Sequence, residues 1–135
     1  MDRFLKPNSG YYRLWSEYHR HNGLIVACDF DNTLYDYHQT GESFDMVRQL
    51  IRDLYALNCY IIIWTGNKDE SFVTSFLDSV NVPFHSINKD APMQKKYGRK
   101  INADVFVDDR AGLIQVYEDL TRLVNEIKSK KPLPN

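Results

Sequence analysis

Cysteine is scarce, with two in 135 residues. Two thiols cannot build a disulfide framework, and Cys28 and Cys59 both lie inside apolar, strand-like runs. They read as buried thiols of a cytoplasmic protein. With no histidine beside it, Cys28 is not read as a nucleophile. An excess of one charge is also missing. The 17 basic and 18 acidic residues leave a net charge of -1, so no global attraction to nucleic acid or to an anionic membrane is expected. Long hydrophobic runs are absent too. The longest, residues 59–64, is far too short to span a bilayer. Residues 1–10 are polar and lack the apolar stretch of a secretory signal. No internal repeat or low-complexity segment is present. What remains is ordinary for one soluble domain: 43% hydrophobic and 26% charged residues, in a chain too short for two domains.

Apolar runs alternate with periodic segments along the chain. Tyr11, Leu14, Trp15 and Tyr18 follow an i, i+3, i+4, i+7 stripe, which predicts a short helix from about Ser9 that packs on the core. Residues 24–28 form a continuous apolar run ending at Asp29, as suits a strand buried on both faces. Ser43 is placed to cap a helix carrying Val47, Leu50, Ile51, Leu54 and Leu57 on one face. Residues 59–64 predict a second buried strand, and the next helix would carry Phe72, Val73, Phe76, Leu77 and Val80 on one side. A weaker strand is expected over 83–87, one or two turns over 91–97, and another strand over 103–107. A last helix, from about Gly112 to Lys128, would carry Leu113, Tyr117, Leu120, Val124 and Ile127 on its apolar face. Residues 131–135 should fray. This alternation predicts a Rossmann-like α/β fold, with a doubly wound parallel sheet between helical layers (α/β/α). Residues 1–22 would form a helical, aromatic extension and 23–130 the domain proper.

Three expected strands end in reactive residues. The first gives Asp29-Phe30-Asp31-Asn32-Thr33, the second Thr65-Gly66-Asn67, and a later one Asp108-Asp109-Arg110. Open α/β sheets bind ligands beyond the carboxyl ends of their strands, where the strand order reverses. With the first strand central, these groups converge in one crevice. Carboxylates crowded there raise one another's pKa, and a divalent cation relieves the conflict. Oxygen ligands without histidine or cysteine favour Mg2+.

The order of these groups resembles the haloacid dehalogenase superfamily of phosphohydrolases. The D-x-D-x-T pattern at Asp29–Thr33, Thr65, a lysine and the pair Asp108-Asp109 follow in sequence, each placed at a strand end except the lysine. The likeness covers residues 24–112. It implies that Asp29 is the nucleophile, forming an aspartyl-phosphate, and that Asp31 is the general acid and base. Thr33 would be a structural hydrogen bonder. Thr65 would hold a phosphate oxygen, helped by backbone N–H groups near Gly66. Asp108 would be the main metal carboxylate, with Asp109 as its companion and Asp29 and the Asp31 carbonyl completing the ligands. The lysine that binds phosphate would be Lys100, with Lys95 and Lys96 as alternatives. Asn67 and Lys68 are placed to touch substrate or to cap a helix. Arg110 would hold a substrate anion or pair with a carboxylate, and His38 reads as a loop-tip residue rather than a metal ligand.

Only a short stretch separates Thr33 from the next helix, which leaves no room for a cap domain. The expected protein is thus a capless, magnesium-dependent phosphomonoester hydrolase of the cytoplasm. Its substrate would be a nucleotide, a sugar phosphate or another phosphate ester, small or bulky. Long nucleic acids are not favoured, because they need a basic footprint. The competing reading is a non-catalytic module of the same fold that binds a partner through its N-terminal aromatic segment. A phosphoacceptor signalling domain would place its acidic pair early and its nucleophile later, the reverse of the order here.

Overall fold

The structure, a computed structural model, describes residues 1–94 and 98–130. Lys95, Lys96 and the expected frayed tail, 131–135, lie outside the described residues. Helix α1 (Ser9–His21) opens the domain, followed by β1 (Ile25–Asp29), α2 (Asp45–Ala56), β2 (Tyr60–Trp64), α3 (Glu70–Ser79), β3 (Ser86–Ile87), β4 (Val105–Val107) and α4 (Leu113–Ser129). The strands form one parallel sheet in the order β3-β2-β1-β4. The Rossmann-like α/β fold and its parallel sheet are as the sequence pattern predicts, whereas the expected helical layer on the second face is not seen among the described residues.

The strand order follows from connection handedness. β1 to β2 and β2 to β3 step the same way across the sheet, so right-handed crossovers put α2 and α3 on one face. The β3-to-β4 connection runs back past β1 and must therefore cross the other face. The core reflects this. Val26, Cys28, Ile61, Ile63, Val105 and Val107 pack with buried side chains of all four α-helices. Ile25 and Ile62 pack instead with Ala91 and Ile101 of the returning segment. No helix is found in that segment among the described residues. Pro92 and Gly98 interrupt it, and it lacks a helical stripe, so the described part of the layer on that face is an irregular strap.

Helix α1 belongs to the core rather than to an appendage. Tyr11, Leu14 and Tyr18 are buried, and the Tyr18 hydroxyl donates to the Leu57 carbonyl at 2.8 Å. Trp15 stays partly exposed and stacks on His19. Tyr11, Leu14 and Tyr18 of the stripe are thus used for packing.

Some boundaries differ from the sequence reading. Helix α2 starts after Phe44, which takes a left-handed backbone (φ 56°), while the Ser43 hydroxyl accepts the Asp45 N–H at 3.3 Å. The strand expected over 83–87 shrinks to two residues. That expected over 103–107 starts at Val105, because Asp104 pairs through its side chain: its carboxylate accepts the Ile25 N–H at 2.7 Å, and its own N–H donates to the Ile25 carbonyl at 2.7 Å. Among the described residues, no helix is long and apolar enough to cross a membrane.

Candidate active site

The reversal in strand order falls between β1 and β4. Residues from both strands meet there at the carboxyl edge of the sheet. Asp29 is in register with Trp64 of β2, and Cys28 with Val107 of β4. Asp29, Thr65 and Asp108 therefore end three adjacent strands at nearly the same height, with about 4.8 Å between neighbouring strands.

Side-chain oxygens of Asp29, Asp108 and Asp109 all lie within 4.8 Å of one another. Asp29 and Asp108 are half-buried and Asp109 is exposed. Burial pushes the Asp29 carboxyl up from its usual range to about 7. A hydrogen bond to Asp109 and the charges of Asp108 and Asp109 add to the rise, and a hydrogen bond from Thr33 opposes it. Burial, and then the charge of Asp109, also raise Asp31. The Asp31 carboxylate is not one of the three clustered groups.

Thr33 joins the two loops. It is fully buried, and its hydroxyl oxygen accepts the Asp109 N–H at 3.1 Å. Its single proton faces two acceptors, Asp29 at 3.2 Å and Asp109 at 3.3 Å, and can serve only one at a time. The turn that carries it is tight: the Phe30 carbonyl accepts the N–H groups of Leu34 and Tyr35, each at 3.0 Å. Beyond it, the Asp36 carboxylate accepts the N–H of Thr40 at 3.0 Å and of Gly41 at 2.7 Å. The connection to α2 is thus a compact loop with no inserted domain. His38 sits on it, exposed and edge-on to Tyr37, outside the acidic cluster.

Beyond β2 lies a polar hollow of about 480 Å³, lined by Thr65, Gly66, Asn67, Lys68, Asp69, Glu70, Ser71 and Asn88. The Thr65 hydroxyl accepts the Asn67 N–H at 3.0 Å, which leaves its proton free to donate. Asn67 accepts the Asp69 N–H at 2.9 Å, and Asp69 caps α3 by accepting the Phe72 N–H at 3.0 Å. Asn67 therefore shapes the loop before the helix. A larger cavity, about 650 Å³, opens at the opposite edge of the sheet beside Ile25, Tyr60, His85 and Asp104. It contains none of the expected site residues.

The structure brings Asp29, Asp108, Asp109 and Thr33 into contact and sets Asp31 and Thr65 beside them. It shows no contact between Lys100 and Asp29. Lys100 is exposed and makes no ion pair among the described residues, and no lysine is among the groups that shift Asp29. Arg110 is exposed and likewise unpaired among the described residues. Its backbone N–H donates to Asp108 at 2.9 Å, so the expected salt bridge is not seen. Asn88 is the residue that sequence reasoning missed. Its signal was an asparagine just after a short apolar strand, a place where left-handed backbone is common.

No family model matches the chain, and no curated protein matches it. Among solved structures, a conserved protein from Bacteroides thetaiotaomicron is similar, with 26% sequence identity and a TM-score of 0.58 over 82% of this chain and 94% of that one. With the observed topology, this likeness establishes a Rossmann-like α/β fold.

Proposed function

We propose that the protein is a magnesium-dependent phosphomonoester hydrolase of the haloacid dehalogenase type, with Asp29 as nucleophile. The observation that carries this reading is the meeting of Asp29, Asp108 and Asp109 at the strand-order reversal, with Asp31 and Thr65 at the adjoining loops. A hard divalent cation fits the donor set. Three carboxylates offer oxygen ligands within one small sphere, and burial first, then the hydrogen bond to Asp109 and the charges of Asp108 and Asp109, raise the Asp29 carboxyl to about 7, a cost that a bound cation would offset. Asp29, Asp108 and Asp109 would hold Mg2+ with the Asp31 carbonyl. Once bound, the ion would neutralise the carboxylates and polarise the phosphoryl oxygens.

The chain's own groups would do the rest. An Asp29 oxygen forms a bond to phosphorus as the ester oxygen leaves, and Asp31 gives that oxygen its proton. The raised pKa of Asp31 suits a group that must hold a proton until the bond breaks. Water then attacks the phosphorus, Asp31 takes its proton, and the Asp29–phosphorus bond breaks to release phosphate. The Thr65 hydroxyl and the Gly66 N–H would hold phosphoryl oxygens. Thr33 would keep the β1 and β4 loops together, and so keep Asp29 and Asp109 in place. With no inserted domain over the site, the substrate or a partner would exclude water, which suits a bulky phosphate ester.

Purified protein should release phenol from an aryl phosphate in the presence of Mg2+ and stop when EDTA is added. Asp29→Asn should abolish release while keeping the fold. Release at the wild-type rate by that variant would remove Asp29 as nucleophile. Release that EDTA leaves unchanged would remove the metal.

A further inference from the structure

We infer that Asn88 is a positioning residue for the phosphate-binding loop after β2, acting through the Thr65 backbone; the inference rests on the phosphohydrolase reading. The sheet itself leaves a gap that such a residue can fill. Strand β3 has two residues, pairing Ser86 with Ile62 and Ile87 with Ile63, and the Asn88 N–H donates to the Ile63 carbonyl at 2.9 Å. On the other side, β1 stops pairing at Asp29 with Trp64. Thr65 therefore emerges with no strand beside it.

The Asn88 side chain stands in for that missing strand. Its carbonyl oxygen accepts the Thr65 N–H at 2.8 Å, and its NH₂ donates to the Thr65 carbonyl at 2.7 Å. Both distances are those of good hydrogen bonds. The Thr65 backbone sets which end of the amide faces which partner, since one group donates and the other accepts. Asn88 reaches this position with a left-handed backbone, φ 54°, which asparagine tolerates better than most residues.

This clamp decides which donors face the hollow. The Thr65 N–H is used up by Asn88 and cannot serve an anion. The Thr65 hydroxyl keeps a free proton, because its oxygen already accepts from Asn67. The Gly66 and Lys68 N–H groups have no partner among the described residues. The donors left for phosphoryl oxygens are thus the Thr65 hydroxyl and the Gly66 and Lys68 N–H groups, all on a loop whose first residue Asn88 holds in place. Asn88 touches no reacting atom in this arrangement; it acts through Thr65.

Asn88→Gly tests this directly, since glycine keeps the left-handed backbone at little cost and removes only the amide. KM for an aryl phosphate and Ki for inorganic phosphate should each rise about tenfold, the effect of losing one well-placed interaction, while kcat changes little. Phosphate is gripped alike in the ground and transition states, so the loss falls on binding. Amide exchange at Thr65, followed by NMR, should accelerate at least about tenfold. Asn88→Asp, which keeps the acceptor and loses the donor, should keep the Thr65 amide protected and still raise both constants; it serves if the glycine variant fails to fold. An unchanged KM and Ki in the folded variants, with wild-type turnover intact, would overturn the role of Asn88 alone. A wild-type protein with Mg2+ that hydrolyses no phosphate ester would overturn the phosphohydrolase reading, and this role with it.

Discussion

Replacing Asp29 by asparagine should stabilise the metal-free protein, and the size of the gain should depend on pH in a way the structure fixes. In the folded state the Asp29 carboxyl is pushed up from 3.8 to about 7. Between those values the folded protein holds a proton that the unfolded chain gives up. Asp29 thus contributes stability that is fully present below about 3.8 and is lost as pH rises through about 7. A shift of roughly three units corresponds to about 4 kcal/mol if nothing screens it. Asp29 is only half-buried, and water screens much of that, so the expected loss is on the order of 1–2 kcal/mol. Asparagine carries no charge at any pH and avoids the loss. In EDTA, the melting temperatures of variant and wild type should nearly coincide at pH 4. At pH 8 the variant should melt higher by about 4–8 °C. Thermal unfolding by circular dichroism across that range is the assay. Magnesium at pH 8 should narrow the gap by stabilising the wild type more. Parallel curves, or a variant less stable at pH 8, would refute the picture of a carboxylate held against its neighbours.

Other perturbations reach different parts of the fold. Thr33→Val keeps the shape of a fully buried side chain but leaves the Asp109 N–H without its acceptor; a loss of about 1–3 kcal/mol in urea unfolding is expected, and a loss below measurement would show that Thr33 does not tie the loops. Gly23→Ala should cost about 1–3 kcal/mol, because a Cβ there would overlap the Asn58 carbonyl oxygen and push the α1–β1 turn away from the α2–β2 turn; an unchanged melting temperature would contradict that packing. Burial pushes the Cys28 thiol well up and the Cys59 thiol to about 11. Native protein at pH 8 should therefore react with a thiol reagent at least about a hundredfold more slowly than urea-unfolded protein, and prompt labelling would show that the core opens readily.

The parallel sheet was legible because its strands are buried on both faces. Residues 24–28 and 59–64 are continuous apolar runs, and no exposed face dilutes the pattern. Helices α2 and α4 were legible from their stripes. Less legible were features set by contacts far apart in sequence. Strand β4 begins two residues later than its apolar pattern, because the Asp104 side chain reaches Ile25, 79 residues away, in place of a ladder bond. The strap over the second face has no period to read. Asparagine was the signal most underused. Asn22, Asn58 and Asn81 take left-handed backbone just after helices, and Asn88 does so after a strand. They mark turns as plainly as glycine would. In the site, the carboxylates could be found by their order along the chain. The two-way bond of Thr33 and the Asn88 clamp could not, since nothing local says that Thr65 will emerge without a strand beside it.

The two edges of the sheet differ in a way that favours one of them as the working end. At the amino edge, Asp104 is an acid with a structural task, since its carboxylate accepts a strand N–H and thereby extends the β1–β4 ladder. At the carboxyl edge, three carboxylates crowd together, and Thr33 can donate only one proton among them. Folding alone gives no reason to gather them, because each raises the free energy of its ionised neighbours. Local choices elsewhere agree with the fold: apolar strands at the centre, amphipathic helices on one face, asparagines at the turns. A conflict confined to the point where strand order reverses is where a sequence would yield stability to function. That argument makes the metal-free wild type the less stable partner of its own Asp29→Asn variant above pH 7. A measurement of that difference needs no substrate.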